Sequence, residues 1–392
     1  MFSRHIRRHG NGKLVRLTGQ LQRDNIGISQ FISYFLIIFF TNKHQVIYVA
    51  TIAMEPSRLA PIQPYRVVVH NYPSHDPESN RFAQAYEYET NRHKRTALIF
   101  VGGLGDGPHG IPYVKFLADS AIAGESDYAV YEPRLSSAFS AWGYGSLSND
   151  VKEISALVKY LRHRKTFRVD RIVLMGHSTG CQDAMYYATH GAEMGLEKID
   201  AFILQGPVSD REAILAVFEE ASPGKGQARM DLSVRVAQKM MSEGTAHDCM
   251  PREWLPKEFW TSPVSAYRWN SLASFGGDDD YFSSDLPDEK LAEIWGKVSK
   301  PVLVLPSEND EHVPDWIDVV DMLDKWKSFC KEDVISSLSG LIPEADHRVE
   351  YGPAGEPADR AQGWLCDRVH AFFKQLERQW LDEDVKADTK YQ

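Results

Sequence analysis

The chain has 392 residues and a formal net charge of −10, with 43% hydrophobic and 25% charged residues. This composition excludes disordered and fibrous classes and leaves ample length for a large core. Past the N-terminal segment no long Lys/Arg cluster occurs, so nucleic acid is not an expected partner. Four widely spaced cysteines (Cys181, Cys249, Cys330, Cys366) contain no CxxC pair. That excludes a disulfide framework and a structural zinc site, and points to a reducing compartment and so to a cytoplasmic location.

Residues 1–53 differ from the rest. They hold seven Lys/Arg and one acid, Asp24, and an apolar run from Phe31 through Phe40 that ends at Thr41-Asn42-Lys43. The run is shorter than the roughly 20 residues a membrane-spanning helix needs. Three readings stand beside each other: a signal sequence or membrane anchor, an organelle-targeting segment, and a non-native start upstream of Met54. The last is favoured, with residues 1–53 a disordered, targeting or non-native extension and residues 54–392 the folded domain. A membrane partner enters only if the apolar run is a real anchor.

From residue 64 onward, short apolar runs alternate with stretches of helical period, which predicts a mostly parallel sheet with helices on both faces. Strands are expected over 66–69, 96–101 and 128–131. A helix over 148–164 follows from Val151, Ile154, Leu157, Val158 and Leu161 at three- and four-residue spacing. Further strands are expected over 171–175, 201–204 and 301–305, a helix over 314–329, a strand-like stretch near 334–338 and a closing helix over 358–376. That last helix places Ala361, Trp364, Leu365, Val369, Phe372, Phe373 and Leu376 on one stripe. Residues 209–297 break the rhythm and hold no convincing buried strand; an insertion there, between two late strands, reads as a helical lid over the strand ends.

The segment Gly176-His177-Ser178-Thr179-Gly180 lies between an apolar strand and a helix of small residues. GxSxG alone is weak, but strand–turn–helix is the context a nucleophile elbow requires. Its glycines relieve crowding at the turn, and the serine sits at a helix head that favours negative charge. Ser178 is therefore the expected nucleophile. Cys181, three residues further on, falls on the helix and away from the turn. A serine needs a base, and in this arrangement the order is serine, acid, histidine. His347, in a polar loop before the closing helix, fits the base better than His312 or His370. Glu308, Asp310 and Glu311 all follow the 301–305 strand, and spacing alone leaves them open. Asp310 is preferred because Asp, two residues and then Val-Pro is an acid loop familiar in folds of this kind. Thr179 supplies one backbone donor of an oxyanion hole, and Leu104 in Gly102-Gly103-Leu104-Gly105-Asp106-Gly107 the other. That loop lacks both the P-loop Lys-Ser/Thr and the dinucleotide GxGxxG spacing. No cofactor or metal is expected.

With these residues in place, the chain resembles a fungal α/β-hydrolase family that includes siderophore esterases acting on fusarinine-type iron carriers. The resemblance covers about residues 60–375 and rests on residues 102–106, Leu135-Ser136-Ser137 with Gly143-Tyr144-Gly145, GHSTGCQD at 176–183, Gly206-Pro207-Val208-Ser209-Asp210-Arg211, and Asp278-Asp279-Asp280-Tyr281-Phe282-Ser283-Ser284-Asp285. It implies an α/β-hydrolase fold and hydrolysis of ornithine-derived ester bonds in a hydroxamate siderophore, with the ferric siderophore as small-molecule substrate and iron released inside the cell. Because such a scaffold carries free amines, Asp278, Asp279 and Asp280 are candidate substrate-binding residues; a solvated acidic turn is the plain alternative. A general carboxylesterase, an acyltransferase or peptidase with the same triad, and a non-catalytic binding protein are the competing functions.

Overall fold

The computed structural model describes residues 64–392, except 77, 79–80, 90–93, 123–126, 165–167, 353–354, 357 and 390–392, together with the backbone of four N-terminal strands. These strands, β1 (Arg4–His9), β2 (Gly12–Thr18), β3 (Ser33–Phe40) and β4 (Gln45–Tyr48), pair antiparallel in sequence order within a unit of their own, Met1–Tyr65. Met54 and the remainder of the expected extension lie outside the described residues. Among the described residues no helix is long and apolar enough to cross a membrane.

Strands that are apolar on both faces must be covered on both, and parallel sheets are built that way. In the second unit β7 (Thr96–Val101), β8 (Tyr128–Pro133), β9 (Arg171–His177), β10 (Ala201–Gln205) and β11 (Val302–Leu305) are parallel and almost wholly buried. A half-exposed antiparallel hairpin, β5 (Val67–Pro73) and β6 (Phe82–Tyr88), closes one edge, giving the order β11-β10-β9-β7-β8-β6-β5. Along β7, Ala97, Ile99 and Val101 join the cluster that contains Val151, Ile154, Leu157, Val158 and Leu161 of α2 (Leu147–His163) and Cys181 and Ala184 of α3 (Gly180–His190). On the opposite face Phe100 packs edge-on to Tyr113 of α1 (Pro112–Ile122), and Tyr128 stacks on Phe373 of the closing helix at 4.1 Å.

Between β10 and β11 the chain forms α4 (Asp210–Ala221), α5 (Gly226–Ser242), α6 (Ala266–Ala273) and α7 (Asp288–Lys297). The insertion is thus helical, and Trp269, Phe218, Met230, Leu255 and Val264 form a core there with Trp142 from outside it. After β11, α8 (Val319–Phe329) starts later than its apolar pattern suggests, because Asp318 caps it by accepting from Val320 N (2.9 Å) and Asp321 N (3.0 Å). The expected 334–338 strand is reduced to a bridge at Ile335, with Ser336 N donating to Val302 O at 2.8 Å. The last helix, α9 (Asp359–Thr389), runs well past residue 376. Its C-terminal part holds neither Gly nor Pro, and Trp380 stays buried under the guanidinium of Arg171.

The chain turns from β7 out to β8 and then returns to the other side of β7 as β9. This reversal opens a crevice at the carboxyl ends of β7 and β9, the place where open α/β sheets bind ligands. The 102–107 loop leaves one of these strands and Ser178 follows the other.

Candidate active site

Ser178 has φ 52°, the left-handed region that a non-glycine residue enters only when its surroundings dictate it. The neighbouring glycines show why. A Cβ on Gly176 would stand 2.1 Å from Gly180 O, one on Gly180 2.4 Å from Val101 O, and one on Gly103 2.5 Å from Ser178 Cβ. Ser178 N–H donates to Gln205 O (3.0 Å), and Ser178 O accepts from Cys181 N (2.8 Å), so strand and helix fix the turn from both sides. Cys181 is buried within α3, and its Sγ donates to Gly176 O and Gln205 O. Burial pushes its thiol well above the usual range, so it is no competing nucleophile.

The acid and histidine loops are zipped together by Asn309 N to Ala345 O (2.8 Å) and Glu344 N to Glu308 Oε2 (2.7 Å). His347 Nδ1 lies 2.8 Å from Asp310 Oδ2, both side chains being almost fully buried. Asp310 Oδ1 accepts from His312 N at 3.0 Å, and Glu311 Oε2 accepts from His347 N at 2.9 Å. Of the three carboxylates that spacing left open, Asp310 is therefore the one on the imidazole. The other two hold backbone. Glu344 and Val349, at φ 59° and 54°, bracket the histidine in strained backbone. The ring of His312 packs edge-on to His347 at 4.6 Å and that of His177 lies at 4.9 Å. Burial holds both neighbours below the ordinary histidine range, which keeps them neutral beside His347.

Gln205, at the end of β10, connects the two loops, and sequence reasoning missed it. Its Oε1 accepts from Tyr113 Oη (2.8 Å) and bonds His177 Nδ1 (2.5 Å). Its Nε2 donates to His347 O and to Ser307 Oγ, each at 3.3 Å. Gly206 is at φ 59°, and a Cβ there would meet the His347 ring at 3.3 Å. The only signal in the sequence is a polar residue ending an apolar strand just before a glycine. Arg348 was missed as well. It donates to Asp106 Oδ1 (2.9 Å) and Gly110 O (2.6 Å), tying the histidine loop to the 102–107 loop.

Asp106 Oδ2 also takes the Gly103 N–H at 2.9 Å. The Leu104 and Thr179 N–H groups, by contrast, donate to no protein acceptor among the described residues. Both residues line one cleft together with Trp142, so their donors are available to a ligand.

The acidic run lies elsewhere. Asp278 accepts from Tyr267 Oη (2.5 Å), Asp279 from Arg268 Nη1 (2.7 Å) and Ser271 Oγ (2.5 Å), and Asp280 from Arg211 Nε (3.1 Å) and Gly276 N (2.8 Å). Asp279 and Asp280 are buried. Asp279 and Asp280 are spent inside the insertion, which corrects the substrate-binding expectation for these two; Asp278 is exposed and bonded to Tyr267 alone among the described residues.

Comparison with known proteins agrees with this architecture. The family described as "Protein of unknown function (DUF1749)" matches residues 54–374. The UPF0613 protein PB24D3.06c of Schizosaccharomyces pombe is 34% identical over 71% of this chain and 88% of its own length. Fusarinine C esterase sidJ of Aspergillus fumigatus is 31% identical over 74% of this chain and 92% of its own. Among solved structures, siderophore hydrolase EstB from Aspergillus fumigatus superposes with a TM-score of 0.66 at 27% identity, covering 81% of this chain and 99% of that one. With its seven-stranded sheet, elbow and helical insertion, the chain belongs to the DUF1749 family and has the α/β-hydrolase fold.

Proposed function

We propose that this ester-hydrolysing enzyme is a serine esterase that cleaves ester bonds of a hydroxamate siderophore such as fusarinine C, and that Ser178, His347 and Asp310 carry the reaction. The observation that supports it most is the His347 Nδ1–Asp310 Oδ2 contact of 2.8 Å, in loops linked through Gln205 to the Ser178 turn. His347 Nε2 takes the Ser178 proton as Oγ attacks the ester carbonyl. The oxyanion is met by the Leu104 and Thr179 N–H groups. Each such donor is typically worth about 3–4 kcal/mol in the transition state. Collapse expels the alcohol, which takes the proton from His347, and leaves an acyl-enzyme. Water, deprotonated by the same imidazole, releases the acid and restores Ser178. Asp310 holds the tautomer and stabilises the imidazolium throughout.

The siderophore comes from the similarity to sidJ and EstB, whose names state that activity for them. The family match from residue 54 supports residues 54–392 as the catalytic unit. Four free cysteines fit action inside the cell, where ester cleavage would lower the denticity of the iron carrier and free its metal.

The test incubates the full chain with ferric fusarinine C and follows ester cleavage by mass spectrometry. Cleavage is expected, and Ser178→Ala should lower kcat by a factor of about 10³ or more. Cleavage of aryl esters alone would remove the siderophore and keep the esterase; an alanine variant with wild-type turnover would overturn the mechanism.

A further inference from the structure

The cleft that presents Leu104 and Thr179 has a volume of about 50 Å³ and is also lined by Asp150, Asp183 and Arg268. Asp150 lies in the first turn of α2 and Asp183 in the first turn of α3, each 6% exposed. Asp150 Oδ1 and Asp183 Oδ1 are both buried without a hydrogen-bond partner. A buried carboxylate oxygen left in that state costs free energy, and proteins keep few of them without a purpose.

One cation lies nearby, Arg268, whose buried Nε has no hydrogen-bond partner and whose charge is shared among several carboxyls. Arg268 gives Nη1 to Asp279, and it is the single guanidinium among the four carboxyls of Asp150, Asp183, Asp210 and Asp279. The two other acids on the cleft wall are satisfied, Asp106 by Gly103 N and Arg348, Glu132 by Tyr88 Oη and His109 N. Desolvation pushes Asp150 up to about 7 and Asp183 well above the carboxylate range, against the pull of Arg268 on both and of a Ser137 hydrogen bond on Asp150, so one guanidinium does not balance these acids. No group of His, Cys, Asp and Glu among the described residues is arranged to hold a metal ion. A primary ammonium matches better: it brings positive charge and three N–H donors to two acceptor oxygens, and Trp142 on the same wall adds an aromatic face.

We propose that Asp150 and Asp183 form an ammonium subsite beside the oxyanion donors, selecting esters whose acyl or alcohol part carries a free primary amine. The proposal rests on the esterase reading above and adds to it a residue-level basis for choosing between free and N-acylated substrates.

The experiment measures kcat/KM of the full chain on a matched pair, the ethyl ester of N5-acetylornithine with its α-amine free and the same ester Nα-acetylated, with p-nitrophenyl acetate alongside. The wild type should prefer the free amine by about tenfold or more, the scale of a charge-assisted hydrogen bond. Asp183→Asn and Asp150→Asn should bring that ratio close to one. Should an Asn variant fail to fold, the wild type still decides: n-propylammonium should inhibit p-nitrophenyl acetate hydrolysis competitively where propan-1-ol does not. Equal kcat/KM on the matched esters, or equal inhibition by amine and alcohol, with the aryl ester still cleaved, overturns the subsite and leaves the esterase. Failure to cleave any ester overturns both.

Discussion

Replacing Asp310 with Asn tests the acid in isolation, because the change alters one atom and almost no volume. Asp310 Oδ1 accepts from His312 N at 3.0 Å, so the Asn oxygen is held on that donor and its NH₂ is turned to His347 Nδ1 at the present 2.8 Å. An NH₂ in that place can only donate. Nδ1 must then be the bare nitrogen and Nε2 must carry the proton, which leaves no base for Ser178. Losing both the tautomer and the imidazolium's counter-charge should cost about 10⁴ in kcat, or about 5.5 kcal/mol. Among the described residues Glu308 and Glu311 accept only backbone N–H groups, from Glu344 and His347, and an amide oxygen can do the same. Glu308→Gln and Glu311→Gln should stay within about tenfold of wild type, since neutral hydrogen bonds are about half as strong as charged ones. The assay is steady-state hydrolysis of an aryl ester, with thermal unfolding run on each variant. The reasoning is refuted if Asp310→Asn keeps kcat within tenfold while folded, or if either glutamine variant loses as much as Asp310→Asn.

Two further outcomes follow from the same contacts. Gly103→Ala places a Cβ 2.5 Å from Ser178 Cβ, so the nucleophile or the oxyanion loop must move. A fall in kcat of about 10²–10³ is expected with a stability loss of only about 1–3 kcal/mol, and a variant with normal turnover would show that Leu104 N–H does not meet the oxyanion. Glu132 is 2% exposed, and burial raises its carboxyl from 4.5 to about 7. Because its folded-state pKa lies above the unfolded one, the stability it contributes is fully present below about pH 4.5 and is lost as pH rises through about 7. Urea midpoints of the wild type should therefore fall from about pH 5 to about pH 8 more steeply than those of Glu132→Gln, by up to about 1.4 kcal/mol per pH unit at the steepest; parallel curves would exclude the carboxyl as the cause.

What the sequence disclosed tracks how local the determining physics is. Strands β7 to β10 were readable because burial on both faces demands unbroken apolar runs, and α2 because one face does. Strand β6 escaped notice: Phe82 to Tyr88 mixes Gln and Glu into a strand that is only partly buried. The elbow was legible because its glycines answer steric demands within five residues. The acid was legible only through a familiar loop pattern, since its contact with the histidine depends on how two loops 37 residues apart meet. The acidic run misled for a similar reason. Three consecutive aspartates look like a solvated turn or a cation trap, and nothing nearby in sequence shows that Arg211, 69 residues upstream of Asp280, will neutralise one of them. Asp150 and Asp183 looked like ordinary residues of a first helical turn; only the packing of α2, α3 and α6 around one cleft sets them apart.

The segments that carried the family resemblance turn out to be in contact, and this bears on how the lid and the chemistry are coupled. Asp210, at the root of the lid, accepts from Gln182 Nε2 at 2.6 Å and from Thr179 Oγ1 at 3.3 Å, so the first lid helix bonds the residue whose N–H is proposed to meet the oxyanion. From there Ser209 Oγ bonds Ser283 Oγ at 2.6 Å, Arg211 bonds Asp280, and Glu212 accepts from Ser284 N at 2.9 Å. GHSTGCQD, GPVSDR and DDDYFSSD thus form one polar seam running from the elbow into the lid. Most of its members are buried, and a seam of buried charge-assisted hydrogen bonds changes length at a cost of a few kcal/mol for each bond broken. Lid displacement at α4 would therefore be transmitted to Thr179 before it is absorbed by loops. The α5–α6 part of the insertion reaches the same site by packing, since Trp142 belongs to the core around Trp269 and Leu104 packs against it.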